Sequence, residues 1–288
     1  MAKVDILNYI SDSNILRSTY DTDTNELDIT DVPQNLNSVI TLGGGGGGGE
    51  WTSDGIANMT EPNGDIELSV SAISARAFYG RPITSVNAPN VTQIGNNCFE
   101  NCTGLESVNM PSLTSTTGSN ADSNFMGCSS LTSIHIPNFS TPRLSYTFKG
   151  CSSLENIALP SFSKNLYSNA FRDCSKLKMA DFTNITDISS GDQFNGCSLF
   201  DTLIIRKSSV VSMAIGNNFK STPFASDGSG GTVYVPESLI TSYQNATNWS
   251  AFLAYPNNQI KSIESTHNDP DAPFDMTVYY ADGTEIGG

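Results

Sequence analysis

The chain has 288 residues, 38% of them hydrophobic, and its 14 Lys+Arg against 29 Asp+Glu leave a formal net charge of −15. That sign repels phosphate backbones and anionic headgroups, so neither nucleic acid nor an acidic membrane surface is an expected partner. No apolar run approaches the roughly 18 residues that a spanning helix requires, and no membrane insertion is expected.

The opening stretch, MAKVDILNYISDSNILRSTY, lacks the apolar core of a secretory signal. For a surface protein this leaves a trimmed leader, an unusual export route, or release on a virus particle by lysis. Residues 1–42 read as a separate arm for anchoring or oligomerisation. Within it, NILRSTYDTDTNELDITDV is strand, polar turn, strand: an N-terminal β-hairpin. The turn DTDTNELD alternates oxygen-bearing side chains as a calcium loop does, but lacks the Gly and closing Glu of that loop, so a plain hairpin turn is the reading.

Gly43–Gly49 is an unbroken run of seven glycines. A phosphate-cradling loop would end in Gly-Lys-Ser/Thr, whereas Glu50 and Trp51 follow here. Two readings stay open, a flexible linker and the close approach of three chains in a homotrimer. Residues 50–77 open the next unit, 50–215. EPNGD reads as a turn between short strands, and Trp51 and Ile56 as the cover of its first coil.

From Phe99 onward a Phe is followed three residues later by a Cys, five times. The pairs are Phe99/Cys102, Phe125/Cys128, Phe148/Cys151, Phe171/Cys174 and Phe194/Cys197, with Cys-to-Cys steps of 26, 23, 23 and 23 residues. A large apolar residue follows each Cys by three (Leu105, Leu131, Leu154, Leu177, Phe200), and a further alternating pair follows, such as Ile134 and Ile136. A fixed period in the twenties with L-x-x-I-x-I spacing specifies a leucine-rich-repeat solenoid. One unit cannot bury its own apolar face; stacked units share one. Alternation makes I-x-I a short strand with Ile134 and Ile136 inward and Ser133 and His135 outward. Pro111, Pro137 and Pro160 end the strand, having no N–H to donate. Val91, Ile94, Leu166 and Tyr167, in the variable segments between repeats, are expected to form a second wall.

The units FMGCSSLTSIHIP, FKGCSSLENIALP and FENCTGLESVNMP, with a degenerate FYGRPITSVNAP at 78–89, resemble the BspA-like, or Treponema pallidum-type, leucine-rich repeats. The resemblance implies a mainly β solenoid of about six coils with a small α+β C-terminal cap. It also implies, more loosely, surface exposure, adhesion and protein binding. The segment 216–264, with VYVPESLITSY and NATNW, is similar to the closing segment that follows such repeats. It reads as strand Val233–Val235, a short helix with Leu239, Ile240 and Tyr243 on one face, Trp249 and Phe252 continuing that face, and a last strand at Ile260–Ile263. Residues 265–288 are acidic, and ADGT between TVYY and EI signals a second hairpin that needs a partner.

Five of the six cysteines sit at one phase. Neighbouring strands lie about 4.8 Å apart, so stacked thiols would run parallel rather than face each other, which is poor disulfide geometry. A single file also does not converge on a point as a zinc site must. Buried free thiols, no metal and no cofactor are the expectation; Cys98 is off phase.

Nothing in the chain assembles chemistry. His135 and His267 are its two histidines, and neither G-x-S-x-G nor H-E-x-x-H occurs. Glu106, Glu155 and Asp201 share a phase on separate coils, which spreads rather than pairs them. The sequons at Asn90, Asn138, Asn184 and Asn248 are what an Asn/Ser/Thr-rich chain produces by chance. The expected function is non-enzymatic binding, through a strand face presenting Asn87, Ser107, Asn109, Ser133, His135, Asn156 and Asp181 to a host-surface protein or glycan. The expected carrier is a phage virion (tail, fibre or head decoration), engaged through residues 1–42. A purely structural virion subunit and a bacterial surface adhesin are the alternatives.

Overall fold

A computed structural model of the chain describes three strands within residues 3–31 by their backbone, and residues 64–263 except 69–70, 117–122, 142, 189–190 and 215–217. The polyglycine run, the covering role of Trp51 and Ile56, the turn residues 22–25 and the tail hairpin lie outside them.

The N-terminal arm has one strand more than its sequence pattern showed. β1 (Lys3–Ile10), β2 (Asn14–Asp21) and β3 (Glu26–Asp31) form an antiparallel meander, β2–β3 being the hairpin and β1 the addition. The missed signal is the Ser11-Asp12-Ser13 cluster, turn-forming residue types between two β-rich runs.

The solenoid's main face is built from short parallel strands, one per coil. The first four rungs are β4 (Gly64–Glu67), β6 (Ile83–Asn87), β8 (Ser107–Asn109) and β10 (Ser133–His135). The next three are β11 (Asn156–Ala158), β12 (Met179–Phe182) and β14 (Thr202–Ile205), which β16 (Thr232–Val235) and β17 (Gln259–Ser262) continue. The result is about eight turns, where six were legible. The additions lie before Phe78 and in the closing segment, whose strands pair in parallel with β14 and so extend the sheet. Two-residue strands make a second wall: β5 (Ala72–Ile73), β7 (Gln93–Ile94) and β9 (Ser115–Thr116) in one sheet, β13 (Asp187–Ile188) and β15 (Ser212–Met213) in another. Val91, Ile94 and Leu166 are buried there, while Tyr167 is half-buried with the Arg143 guanidinium 4.7 Å over its ring.

Between the two walls runs the spine. Phe78, Phe99, Phe125, Phe148, Phe171, Phe194 and Phe219 stack in one file, with centroid steps of 5.2, 5.4, 5.6, 5.3, 5.4 and 5.7 Å and planes within 10° of parallel. Beside it runs the thiol file. Cys102 Sγ donates to the Phe78 carbonyl (2.8 Å), Cys128 to Phe99 (3.1 Å), Cys151 to Phe125 (3.1 Å), Cys174 to Phe148 (3.0 Å) and Cys197 to Phe171 (3.0 Å). Those carbonyls also accept the N–H three residues on within their own turn, so the thiol fills the second lone pair. The Phe N–H groups reach the other way, as Phe125 N–H does to the Thr147 carbonyl at 2.9 Å. This answers why a small, weakly donating apolar residue sits at this phase: Ala would leave the second lone pair empty. All six cysteines are free and buried. Cys98 occupies a different column, one residue before the Phe, where the next coil has Asn124.

The turn between wall and strand demands two left-handed residues per coil. The residue before the Cys is Asn101, Gly127, Gly150, Asp173 or Gly196, with φ from 61 to 84°. Asn97, Ser123, Tyr146, Asn169 and Asp192, two before the Phe, are also left-handed. Gly, Asn and Asp tolerate that region best, which explains their recurrence at the pre-Cys phase.

Strand pairing is interrupted between β10 and β11, yet the ring file and the thiol file cross that junction: Phe125 stacks on Phe148, and Cys151 reaches the Phe125 carbonyl. There the two coils are joined by these side-chain files together with backbone bonds in the turn, from Ser123, Phe125 and Gly127 N–H to the Ser145, Thr147 and Lys149 carbonyls.

Helices α1 (Ile240–Asn245) and α2 (Thr247–Leu253), after a 3₁₀ turn at Glu237–Leu239, close the end. Trp249 Nε1 donates to the Val211 carbonyl (2.8 Å) and Tyr243 Oη accepts the Val211 N–H (3.1 Å), so one backbone residue anchors both rings.

Burial pushes the Cys102 thiol up to about 11, Tyr243 up to about 12, and Cys98, Cys128, Cys151 and Cys197 well above the thiol range. Each folded value exceeds its unfolded one, ~8.5 for a thiol and ~10 for a phenol, so the linked stability is complete below about pH 8.5 and is lost as pH rises through the folded values. The expected result is that an aromatic disulfide reagent at pH 7.5 titrates none of the six thiols in the folded chain and all six in denaturant, with a melting temperature that falls from about pH 9 upward. Stoichiometric titration of the folded chain, or a flat alkaline profile, would refute the buried file.

Candidate binding face

The strand register puts the outward side chains in two rows. The first runs Asp65, Ser85, Ser107, Ser133, Asn156, Met179, Thr202, Thr232, Gln259, and the second Glu67, Asn87, Asn109, His135, Ala158, Asp181, Ile204, Tyr234, Lys261. All seven residues selected from the sequence stand in these rows. Asn87, Ser107, Asn109, Ser133 and Asn156 are half-buried, as side chains flanked by neighbouring strands are.

His135 and Asp181 depart from the expectation of a solvated face: each is only 4% exposed. Asp181 has a built environment. Arg206, one rung on, donates Nε to both carboxylate oxygens (3.1 and 3.0 Å) and Nη2 to Oδ2 (2.8 Å). Burial lifts the Asp181 carboxyl above its usual range, and the guanidinium offsets this only in part. Alternation alone offers Asp181 as a ligand contact; the structure makes it an internal ion pair.

The face divides along its length. At the N-terminal end it is a polar lattice. Ser85 and Thr84 hydroxyls donate to Asp65 Oδ1 (2.7 and 2.9 Å), holding its carboxyl below the usual range. Asn87 Nδ2 donates to Glu67 Oε2 (2.7 Å), and Asn109 Nδ2 to Asn87 Oδ1 (2.9 Å). Asp65, Glu67, Thr84 and Ser85 were missed, although D-I-E-L at 65–68 carries the same alternation as the repeats. At the C-terminal end Met179, Ile204 and Tyr234 form a second apolar cluster, separate from the core, with Ile263 packed against it.

Pre-aligned hydroxyls, amides and two carboxylates on a rigid surface can hydrogen-bond a sugar or a peptide backbone. No group of three or more His, Cys, Asp or Glu among the described residues converges to hold a metal. No helix among them is long and apolar enough to cross a membrane. Glu155 pairs with Lys178 (2.7 Å), a solvated ion pair rather than an acid–base dyad.

The family of BspA-type leucine-rich-repeat regions matches residues 71–201 and 121–222 in six copies, more than half of the chain. The chain belongs to that family. The solved structures to which the BspA-type chain is similar include the following three. The leucine-rich-repeat protein of T. pallidum is 21% identical, over 64% of this chain and 83% of that one, with a TM-score of 0.47. A leucine-rich cell-surface protein of Faecalibacterium prausnitzii A2-165 is 15% identical, over 90% and 95%, with a TM-score of 0.32. A leucine-rich-repeat protein of Bacteroides ovatus ATCC 8483 is 15% identical, over 92% and 76%, with a TM-score of 0.26. None of the curated proteins matches.

Proposed function

We propose that this BspA-type repeat protein is a non-enzymatic, surface-displayed binding module. The polar half of its strand face, from Asp65 to Asn156, contacts a protein or glycan. The observation that carries this reading is the lattice of Glu67, Asn87 and Asn109 with Asp65, Thr84 and Ser85, which fixes donors and acceptors before any ligand arrives. Preorganised polar groups lose little freedom on binding, which is where a rigid repeat scaffold gains affinity. Residues 1–42 serve as the attachment to the carrier and as the seat of any trimer.

Ser107 and Ser133 stand in this face and donate no side-chain bond that the fold needs. Replacing both by Ala is expected to lower binding to the target surface severalfold at an unchanged melting temperature; unchanged binding favours a purely structural virion subunit. Two carriers fit the role, a bacterial envelope and a virus particle. Flanking secretion or cell-wall genes select the first, capsid or tail genes the second.

A further inference from the structure

Tyr146 breaks the pattern of its own phase. The left-handed position two before the Phe holds Asn97, Ser123, Asn169 and Asp192 in other coils, small polar residues that strain little there. Tyr146 takes φ 56° with a bulky ring, and the residue is 36% exposed. A strained ring that burial does not offset calls for a functional explanation. Stapling the turn does not require it. Asn97 donates to Glu100, and Asn169 accepts from Arg172 Nη1 at 3.3 Å, each closing its turn with a small residue. In the first coil the Arg76 guanidinium lies 4.4 Å over Tyr79, but there the Tyr is not left-handed, and its Oη accepts Asn101 Nδ2 at 3.3 Å. Tyr146 Oη has no such partner among the described residues.

Its surroundings are cationic. Lys149 Nζ lies 5.7 Å from the Tyr146 ring centroid and pairs with no carboxylate among the described residues. Arg143 lies over Tyr167 of the next coil. The two coils run side by side here, Tyr167 N–H donating to the Leu144 carbonyl (2.8 Å) and Tyr146 N–H to that of Ser168 (3.1 Å). The chain's negative charge sits elsewhere. Residues 64–263 hold 12 Lys+Arg against 13 Asp+Glu, which leaves −14 of the −15 to residues 1–63 and 264–288. From Thr141 to Lys178 the balance is six Lys+Arg against two Asp+Glu. Charge complementarity at this turn therefore selects an anion. The turn's N–H groups are already used: those of Tyr146, Lys149 and Gly150 reach the Ser168, Tyr146 and Arg172 carbonyls. An extended peptide finds no ladder to join, and recognition is left to rings and cations.

We propose that Tyr146, Lys149, Arg143 and Tyr167 form a second binding site, on the turn edge of the solenoid, for an acidic saccharide. A hexuronate ring packs its C–H face against Tyr146, and its carboxylate pairs with the Lys149 ammonium. Tyr167 and Arg143 offer the same ring-and-cation chemistry to a neighbouring sugar. This site is separate from the polar half of the strand face and does not depend on it.

The test is binding of the full chain to polygalacturonate, with poly-L-glutamate (charge without a sugar ring) and dextran (rings without charge) as comparisons. Polygalacturonate is expected to bind severalfold tighter than either, and more weakly as salt rises. Tyr146→Asn, the residue type of the Phe99 and Phe171 coils, is expected to raise the melting temperature while lowering that affinity severalfold. Lys149→Gln should lower the affinity at an unchanged melting temperature, and Ser107→Ala/Ser133→Ala should leave it unchanged. No binding of polygalacturonate would overturn the proposal, as would equal binding of polyglutamate, which reports charge alone. Unaltered affinity in Tyr146→Asn would also overturn it. So would a Tyr146→Asn chain that melts below the parent, because the ring would then be a structural member of its turn. Loss of affinity in the serine variant would move the saccharide to the strand face and overturn the second site.

Discussion

Phe148→Ala is expected to destabilise the chain by about 3–5 kcal/mol, the range for truncating a fully buried aromatic. For an ordered unit of this size that lowers the melting temperature by about 10 °C or more. The ring is wholly buried, stacks on Phe125 and Phe171, and its carbonyl takes the Cys174 thiol. Its position matters more than its size. The Phe125–Phe148 step crosses the interruption between β10 and β11, where the strand ladder lapses and the ring and thiol files act beside only the turn's backbone bonds. In a stack stabilised by nearest-neighbour interfaces, weakening that one uncouples the two sides. Unfolding of the variant followed by calorimetry should therefore broaden or split in two. Leu199→Ala, at a side chain 46% exposed, should stay within about 0.5 kcal/mol of the parent. Equal effects at the two sites would show that the ring file is not what couples the coils.

Arg206→Met is the second large effect, and its signature is pH. Removing the guanidinium strands the Asp181 carboxylate in a buried site, a change that costs about 3–5 kcal/mol near neutral pH. The double variant Asp181→Leu/Arg206→Met should regain most of the loss, since an apolar pair of similar volume tolerates burial. The folded-state value for Asp181 already lies above the usual carboxylate range. Its linked stability is thus complete below the unfolded value of ~3.9 and is lost as pH rises through the folded one. Without Arg206 that loss should extend to higher pH, so mild acidification restores the single variant and leaves the double variant unaffected. A single variant that melts in parallel with the parent between pH 5 and 8 would contradict the role given to this pair.

The repeat was legible because burial in a stacked coil is periodic. Phe, Cys, Leu and the inward Ile recur at one phase, and the structure puts them in files. The two left-handed positions per coil were equally present in the sequence: Gly80, Asn101, Gly127, Gly150, Asp173 and Gly196 stand at one phase, the last five directly before a Cys. They went unread because apolar phasing takes no account of backbone handedness. The burial of His135 and Asp181 was out of reach, since alternation assigns a side chain to a face and says nothing of what lies over it. The departure was nevertheless written in MADF, TLII and TVYV, where apolar residues occupy outward phases that earlier coils fill with Ser and Asn. Strand β1 was missed for a local reason: Asn8 breaks the alternation of KVDILNYI.

The spine underlies the fold, the coupling across β10 and β11, and the rigidity asked of the face. An anomalous-difference map from a crystal of the native chain, collected at a wavelength where sulfur scatters, locates every thiol without reference to the rest of the density. Five cysteine sulfurs in a single file about 5 Å apart, with Cys98 beside it, is the predicted map. Sulfurs paired at bonding distance, gathered around a metal peak, or scattered over the coils would contradict it.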